Sequence, residues 1–130
     1  MLPYSVYNRT REIPVASEVE LADTCWARFK GLLGRSAGEF TDGQGLWIVP
    51  CQGIHTIGMS FPIDVIYLDS SGRILRLYRS LAPFRLAAMS FRTRSVLEFP
   101  EGILSRTGTQ IGDQLEIAFS NQPSAFSKSK

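Results

Sequence analysis

Apolar and polar residues alternate along several short stretches of this chain, and the period of two is that of a β-strand with one face in water. Within residues 11–22, Val19 and Leu21 alternate with Glu18 and Glu20, which predicts an early strand. Leu46-Trp47-Ile48-Val49 is a short apolar run ended by Pro50 and predicts a buried strand. Residues 63–68 and 73–79 form the best-matched pair of strands. They are joined by Asp69-Ser70-Ser71-Gly72, whose glycine suits the left-handed position of a short hairpin. The first arm is apolar on both faces and is therefore expected at the centre of a sheet. In the second, Leu75 and Leu77 face away from Arg76, as on a strand with one wet face. Residues 96–100 predict another strand stopped by proline, and Gly102 marks a turn. The alternation of Leu115, Ile117 and Phe119 predicts a last strand over residues 114–119.

One stretch follows the helical period instead. Trp26, Phe29 and Leu33 fall at i, i+3 and i+7, with Asp23 or Thr24 as the cap and Gly34 as the stop, so a short helix is predicted over residues 24–33. Residues 38–45 read as a polar loop and residues 51–62 as turns with a short extended piece. Residues 81–94, which contain Pro83, fit neither period and predict a long loop at a sheet edge. The fold class expected is mostly β: a β-sandwich or flattened barrel with one short α-helix near the N-terminus. It occupies residues 1–120 as a single domain, followed by a polar, disordered tail over residues 121–130.

At 130 residues the chain is long enough to bury a core without disulfides or metal, and its ordinary apolar content argues against a disordered or repetitive protein. Its first residues lack the charged and apolar regions of a secretory leader, and no run approaches the roughly 18 apolar residues of a membrane span. A cytoplasmic location is therefore expected, with Cys25 and Cys51 kept as thiols. The net charge of +2 does not by itself predict nucleic-acid binding. The distribution of charge is more informative: Arg73, Arg76, Arg79, Arg85, Arg92 and Arg94 follow one another with no carboxylate between Asp69 and Glu98.

Gly31-Leu32-Leu33-Gly34-Arg35, then Pro62-Ile63-Asp64-Val65 ahead of the hairpin, then Val96-Leu97-Glu98 and finally Gly112-Asp113 form an ordered series. In that order and spacing the chain resembles the bacterial and archaeal family called domain of unknown function 192, over roughly residues 19–117. The resemblance implies a β-sandwich or barrel-like fold with a short helix after the first strand, and it implies no activity. Where that family commonly carries tryptophan, this chain carries His55. Both side chains are flat and present an N–H donor, which favours a structural or stacking role over proton transfer.

Cys51, His55 and Asp64 are the residue types of a thiol nucleophile, its base and an orienting carboxylate, and they define a hydrolase hypothesis. Against it, Cys51 directly follows an apolar strand and Pro50, where an inert thiol is the commoner outcome. The same residues are poor metal ligands, because there is one histidine and no paired cysteine motif, so neither metal nor cofactor is expected. Asp64 lies between Ile63 and Val65 and needs a partner: backbone N–H groups, or an arginine such as Arg35. Arginines three apart on a strand point to opposite faces, so Arg73, Arg76 and Arg79 do not share one surface by simple alternation. The leading expectation is a non-catalytic module that binds an anionic small molecule, a polymer or a protein partner around Trp47, His55, Asp64, Arg35 and Arg76. Nucleic acid is a weaker candidate partner, no membrane partner is expected, and a structural or accessory subunit is the remaining alternative.

Overall fold

The computed structural model describes residues 3–22, 37–54 and 59–119. Seven strands form one sheet: β1 (Tyr4–Asn8), β2 (Ile13–Ala22), β3 (Gln44–Ile48), β4 (Ile63–Leu68), β5 (Ile74–Leu81), β6 (Ser95–Pro100) and β7 (Leu115–Phe119). A short helix, α1 (Ile103–Thr107), lies between β6 and β7, and a single 3₁₀ turn spans Ala37–Glu39. The spatial order is β5-β4-β6-β3-β2-β1-β7, antiparallel throughout except for the parallel pair β2 and β3.

The sheet curls into a half-barrel, because its first and last strands are drawn together at one end. Arg73 bridges Gln114, Ile74 donates its N–H to the Asp113 carbonyl at 2.9 Å, and Leu115 donates to the Gly72 carbonyl at 2.9 Å. Gly72 makes this approach possible. It sits at φ 88°, and a side chain there would meet the Leu115 carbonyl at 2.7 Å. The hairpin loop ahead of it is organised by Asp69, whose Oδ1 accepts from the Ser71 N–H, the Ser71 hydroxyl and the Arg73 N–H. Burial alone would raise the Asp69 carboxyl, but these donors and the Arg73 charge hold it below the usual carboxylate range.

Curling sorts the alternating side chains into two apolar groups. Inside the curve, Val6, Val19, Ile66, Leu68, Leu97 and Phe99 pack with Ile103 and Leu104 of α1. On the outer face, Leu46, Ile48, Ile63, Val65, Tyr67 and Val96 pack with Phe40, Met59 and Phe61. With apolar layers on both sides, every residue of β4 is buried, as its sequence predicts for a central strand.

Asp64 belongs to the inner face and is 1% exposed. Its Oδ1 accepts the Ser80 N–H at 2.9 Å, and its Oδ2 accepts the N–H groups of Gly102 at 3.1 Å and Leu104 at 2.9 Å. The first turn of α1 has no side-chain cap of its own, so a carboxylate from β4 does the capping. Ser80, held at φ 52°, also sends its hydroxyl to Glu101 at 2.7 Å, which fixes the end of β5 beside the start of α1.

A second buried carboxylate secures another corner. Asp113 accepts from the Asn8 amide at 3.0 Å, the Arg11 guanidinium at 2.8 Å and the Gln110 N–H at 3.0 Å, tying the turn after β1 to the entry of β7. Burial would raise its carboxyl, but Arg11, Asn8 and Gln110 together hold it below the ordinary value.

The strands predicted from periodicity are present, with the hairpin at β4 and β5 and the long loop after Leu81. Three features differ. β1 is an additional strand, in which Ser5 and Asn8 are buried although polar. The expected sandwich or flattened barrel is an open half-barrel. Among the described residues the α-helix is α1, near the C-terminus, where the sequence shows only a turn at Gly102. The predicted helix over residues 24–33 and the tail over residues 121–130 lie outside the described residues.

Replacing Asp64 by alanine leaves three backbone donors without their acceptor and is expected to cost about 2–4 kcal/mol in urea denaturation. Asp64→Asn keeps an acceptor oxygen in place and is expected to cost clearly less. Equal losses in the two variants would show that the hydrogen bonds are not the source of the stabilisation.

Candidate functional site

Two adjoining cavities open at the end of the half-barrel where β4 turns into β5. One, of about 540 Å³, is walled by Trp47, Leu68, Asp69, Arg94, Gln114 and Ile117. The other, of about 590 Å³, lies between residues 50–53 and the long loop, and Met89, Phe91, Arg92 and Thr93 line it. Ser70 and Arg94 border both, so the two form a continuous cleft.

The wall between the cleft and the outer face is the 82–94 loop, which has almost no regular structure yet is tied down from Ala87 to Arg94. Cys51 donates its N–H to the Arg94 carbonyl at 2.9 Å, Ser90 to Gln52 at 3.0 Å and Ala87 to Ile54 at 3.0 Å. From beneath, the Tyr67 hydroxyl donates to the Ala88 carbonyl at 2.7 Å, while the Ala88 N–H donates to the Tyr78 hydroxyl at 2.9 Å. Two tyrosines thus hold both polar groups of one residue. Gly53 allows the close approach, because a Cβ there would lie 2.7 Å from the Met89 sulfur and 3.0 Å from the Ala88 carbonyl. Burial, with the neighbouring Tyr78, pushes the Tyr67 phenol up to about 12, so it remains a hydrogen-bond donor at neutral pH.

Among the described residues, two buried side-chain polar atoms have no hydrogen-bond partner: Trp47 Nε1 and Thr93 Oγ1. Trp47 lines the first cavity and Thr93 the second. Charged groups in the cleft divide into paired and unpaired. Arg9 is held by Glu116 at 3.2 Å and Asp69 by the hairpin loop, whereas among the described residues the exposed Arg92 and Arg94 have no carboxylate partner. The uncommitted groups are therefore donors and positive charges.

Of the site residues expected from sequence, Trp47 lies in this cleft. Cys51 also lines it, with its thiol donating to the Gly53 carbonyl at 3.1 Å. Asp64 lies elsewhere. It is four residues, roughly 13 Å, along β4 from the Leu68 end that borders the cleft, and both of its oxygens accept backbone N–H groups. Cys51 and Asp64 are thus not brought together as two members of one triad. Arg76 is exposed on β5, in register with Tyr67, and does not border the cleft. His55 and Arg35 lie outside the described residues. Sequence reasoning named Arg94 only as one of six arginines in a carboxylate-free stretch and did not single out Thr93, for which the available signal was the arginine-rich, aperiodic character of its loop.

A further titratable group sits apart from the cleft. Glu98 is buried on the outer face of β6, opposite Leu46 of β3 and Val65 of β4, and burial pushes its carboxyl up to about 7.

A model of the family DUF192, described as Uncharacterized ACR, matches residues 6–117. The chain is similar to a UPF0127 protein of Thermococcus sibiricus, with 28% identity over 92% of this chain and 78% of the relative. It is likewise similar to a UPF0127 protein of Pyrococcus furiosus, with 28% identity over 84% of this chain and 94% of the relative. Both relatives are archaeal. Among solved structures, a protein of unknown function from Novosphingobium aromaticivorans superimposes with a TM-score of 0.75 and 24% identity, covering 88% of this chain and 83% of that one. That likeness is one of fold.

The folded state holds the Glu98 proton more tightly than the unfolded chain does. Its contribution to stability is complete below the unfolded value near 4.5 and is lost as pH rises toward 7. Glu98→Gln removes that titration. The variant is expected to gain on the native protein by roughly 2–4 kcal/mol between about pH 5 and about pH 8 in chemical denaturation. A difference that does not change with pH would mean that Glu98 is ionised at ordinary pH in both states.

Proposed function

We propose, for a chain that belongs to the uncharacterised DUF192 family, that it is a non-catalytic module binding a small anionic ligand, a carboxylate or a phosphate, in the cleft at the end of the half-barrel where β4 turns into β5. One observation carries this reading: Trp47 and Thr93, whose Nε1 and Oγ1 are the two buried side-chain polar atoms without a partner among the described residues, line adjoining parts of the same cleft, with Arg94 where the parts meet. A buried donor without an acceptor costs about 1–3 kcal/mol, so acceptor oxygens placed against these groups recover energy that the free protein forgoes. The guanidinium supplies paired donors and the charge that favours an anion over a neutral acceptor. At about 540 Å³, the part beside Trp47 is of the size that holds small ligands, and barrel mouths are a common place for them.

The setting we propose is the cytoplasm, where Cys51 stays a thiol held on the Gly53 carbonyl and serves as part of the wall. The hydrolase alternative lacks its carboxylate, because Asp64 caps α1 at the other end of β4.

Thermal-shift screening against nucleotides, sugar phosphates, organic acids and inorganic phosphate tests the proposal, since a ligand of the folded state raises the melting temperature by mass action. At least one anion is expected to raise it. The shift is expected to vanish in Arg94→Gln, whose unliganded melting temperature should be unchanged because the side chain is exposed. If no anion shifts the native protein, or if Arg94→Gln responds as the native protein does, this cleft is not the binding site.

A further inference from the structure

We propose that the 82–94 loop docks this protein on a bilayer surface that carries anionic phospholipids. Four large apolar side chains of this one loop stand out in water: Phe84 at 66% exposure, Leu86 at 78%, Met89 at 71% and Phe91 at 92%. They account for most of the exposed large hydrophobic residues among those described, the others being Ile111 and Phe119. Such concentration on one element marks an interaction surface, whereas scattered exposed residues do not.

The loop is presented rather than left loose. From Ala87 to Arg94 its backbone is tied to residues 51–54 and to Tyr67 and Tyr78, so Met89 and Phe91 project from a fixed base and little ordering of that stretch is left to be done on contact. Phe84 is held at φ 61°, a backbone conformation that bulky residues rarely adopt, while its ring remains exposed. Burial in the fold therefore does not compensate that strain.

Charge selects the kind of surface. Arg79, Arg92 and Arg94 are exposed on or beside the loop, and the sequence has no carboxylate between Asp69 and Glu98. Phosphate-bearing headgroups meet this charge, and the acyl region beneath them accepts the apolar tips. A rigid protein partner would need a separate matched pocket for each of four protruding side chains. Single-stranded nucleic acid would stack on Phe84 and Phe91 but would leave Leu86 and Met89 in water. Hydrocarbon closes around all four without a matched shape. The expectation that no membrane is involved rests on the lack of a spanning segment, and docking by a loop needs none.

Vesicle flotation of the full chain provides the test, with phosphatidylcholine alone and with phosphatidylcholine mixed with phosphatidylglycerol. The native protein is expected to float with the mixed vesicles, and much less with phosphatidylcholine alone or when salt is raised. The double variant Phe84→Ser/Phe91→Ser is expected to bind the mixed vesicles about tenfold more weakly or worse. Phe91→Ser alone, at a position so exposed that the fold is untouched, should give an intermediate loss. Binding by the double variant equal to that of the native protein overturns the proposal, as does failure of the native protein to float with either vesicle. Loss of self-association or of oligonucleotide binding in these variants, with no vesicle binding by the native protein, would assign the patch to that other partner instead.

Discussion

Three backbone N–H groups from two separate elements converge on one buried carboxylate, and the end of the half-barrel where β4 begins depends on Asp64 receiving them. An apolar residue at this position would match Ile66 and Leu68 on the same face of β4, but it would leave the start of α1 and the end of β5 with donors facing a dry interior. The desolvation of Asp64 is offset by three hydrogen bonds to a charged acceptor, each stronger than its neutral counterpart. The arrangement also explains how a helix of five residues persists. Too short to be stable alone, α1 borrows its cap from β4 and its apolar contacts from the inner core.

The opposite end of the barrel follows a different economy. At the Asp64 end the converging donors find acceptors, and at the Asp113 corner an arginine, an amide and a backbone N–H share one carboxylate. Where β4 turns into β5, an indole N–H and a threonine hydroxyl are buried without partners among the described residues, beside Arg92 and Arg94, which have no carboxylate partner among them either. A fold that satisfies its interior polar groups at two corners and leaves a set unsatisfied around one cleft has concentrated its unspent hydrogen-bonding capacity there. That asymmetry, more than the size of the cavities, is what supports the cleft as the proposed site.

How much of this was legible in the chain depends on the range of the interactions involved. The hairpin of β4 and β5 was readable because its signals are local: two runs of strand-forming residues, and a glycine where the turn needs φ near 90°. The need of Asp64 for a partner was readable from its apolar neighbours, and backbone donors were among the partners foreseen. What fills that need, and with it the existence of α1, was not readable, because the cap comes from 38 residues away along the chain. β1 escaped notice for a related reason. Its buried Asn8 hydrogen-bonds to Asp113 and Thr109, near the far end of the described chain, so polarity there did not mean exposure. The cleft was only partly legible: Trp47 stood out as a large residue on a strand, whereas Thr93 and Arg94 lie in a loop whose path is set by tyrosines from other strands.

The same loop serves both proposed sites, and this links them energetically. Met89, Phe91 and Arg92 line one half of the cleft, while Met89 and Phe91 are also among the apolar side chains that face away into water. Seating their tips in a bilayer restricts the side chains that border the cleft, and a ligand in the cleft restricts the same side chains from the other side. Each event therefore changes the free energy of the other, and linkage requires the two effects to be equal in size whatever their sign. The sign follows from geometry. Phe91 is 92% exposed, so in the free protein its ring is held by almost nothing, and whichever contact orders it first spares the second contact that cost. A ligand bound between Arg94 and Phe91 and a bilayer met by Phe91 would then reinforce one another, making that half of the cleft a site that fills preferentially at the membrane surface.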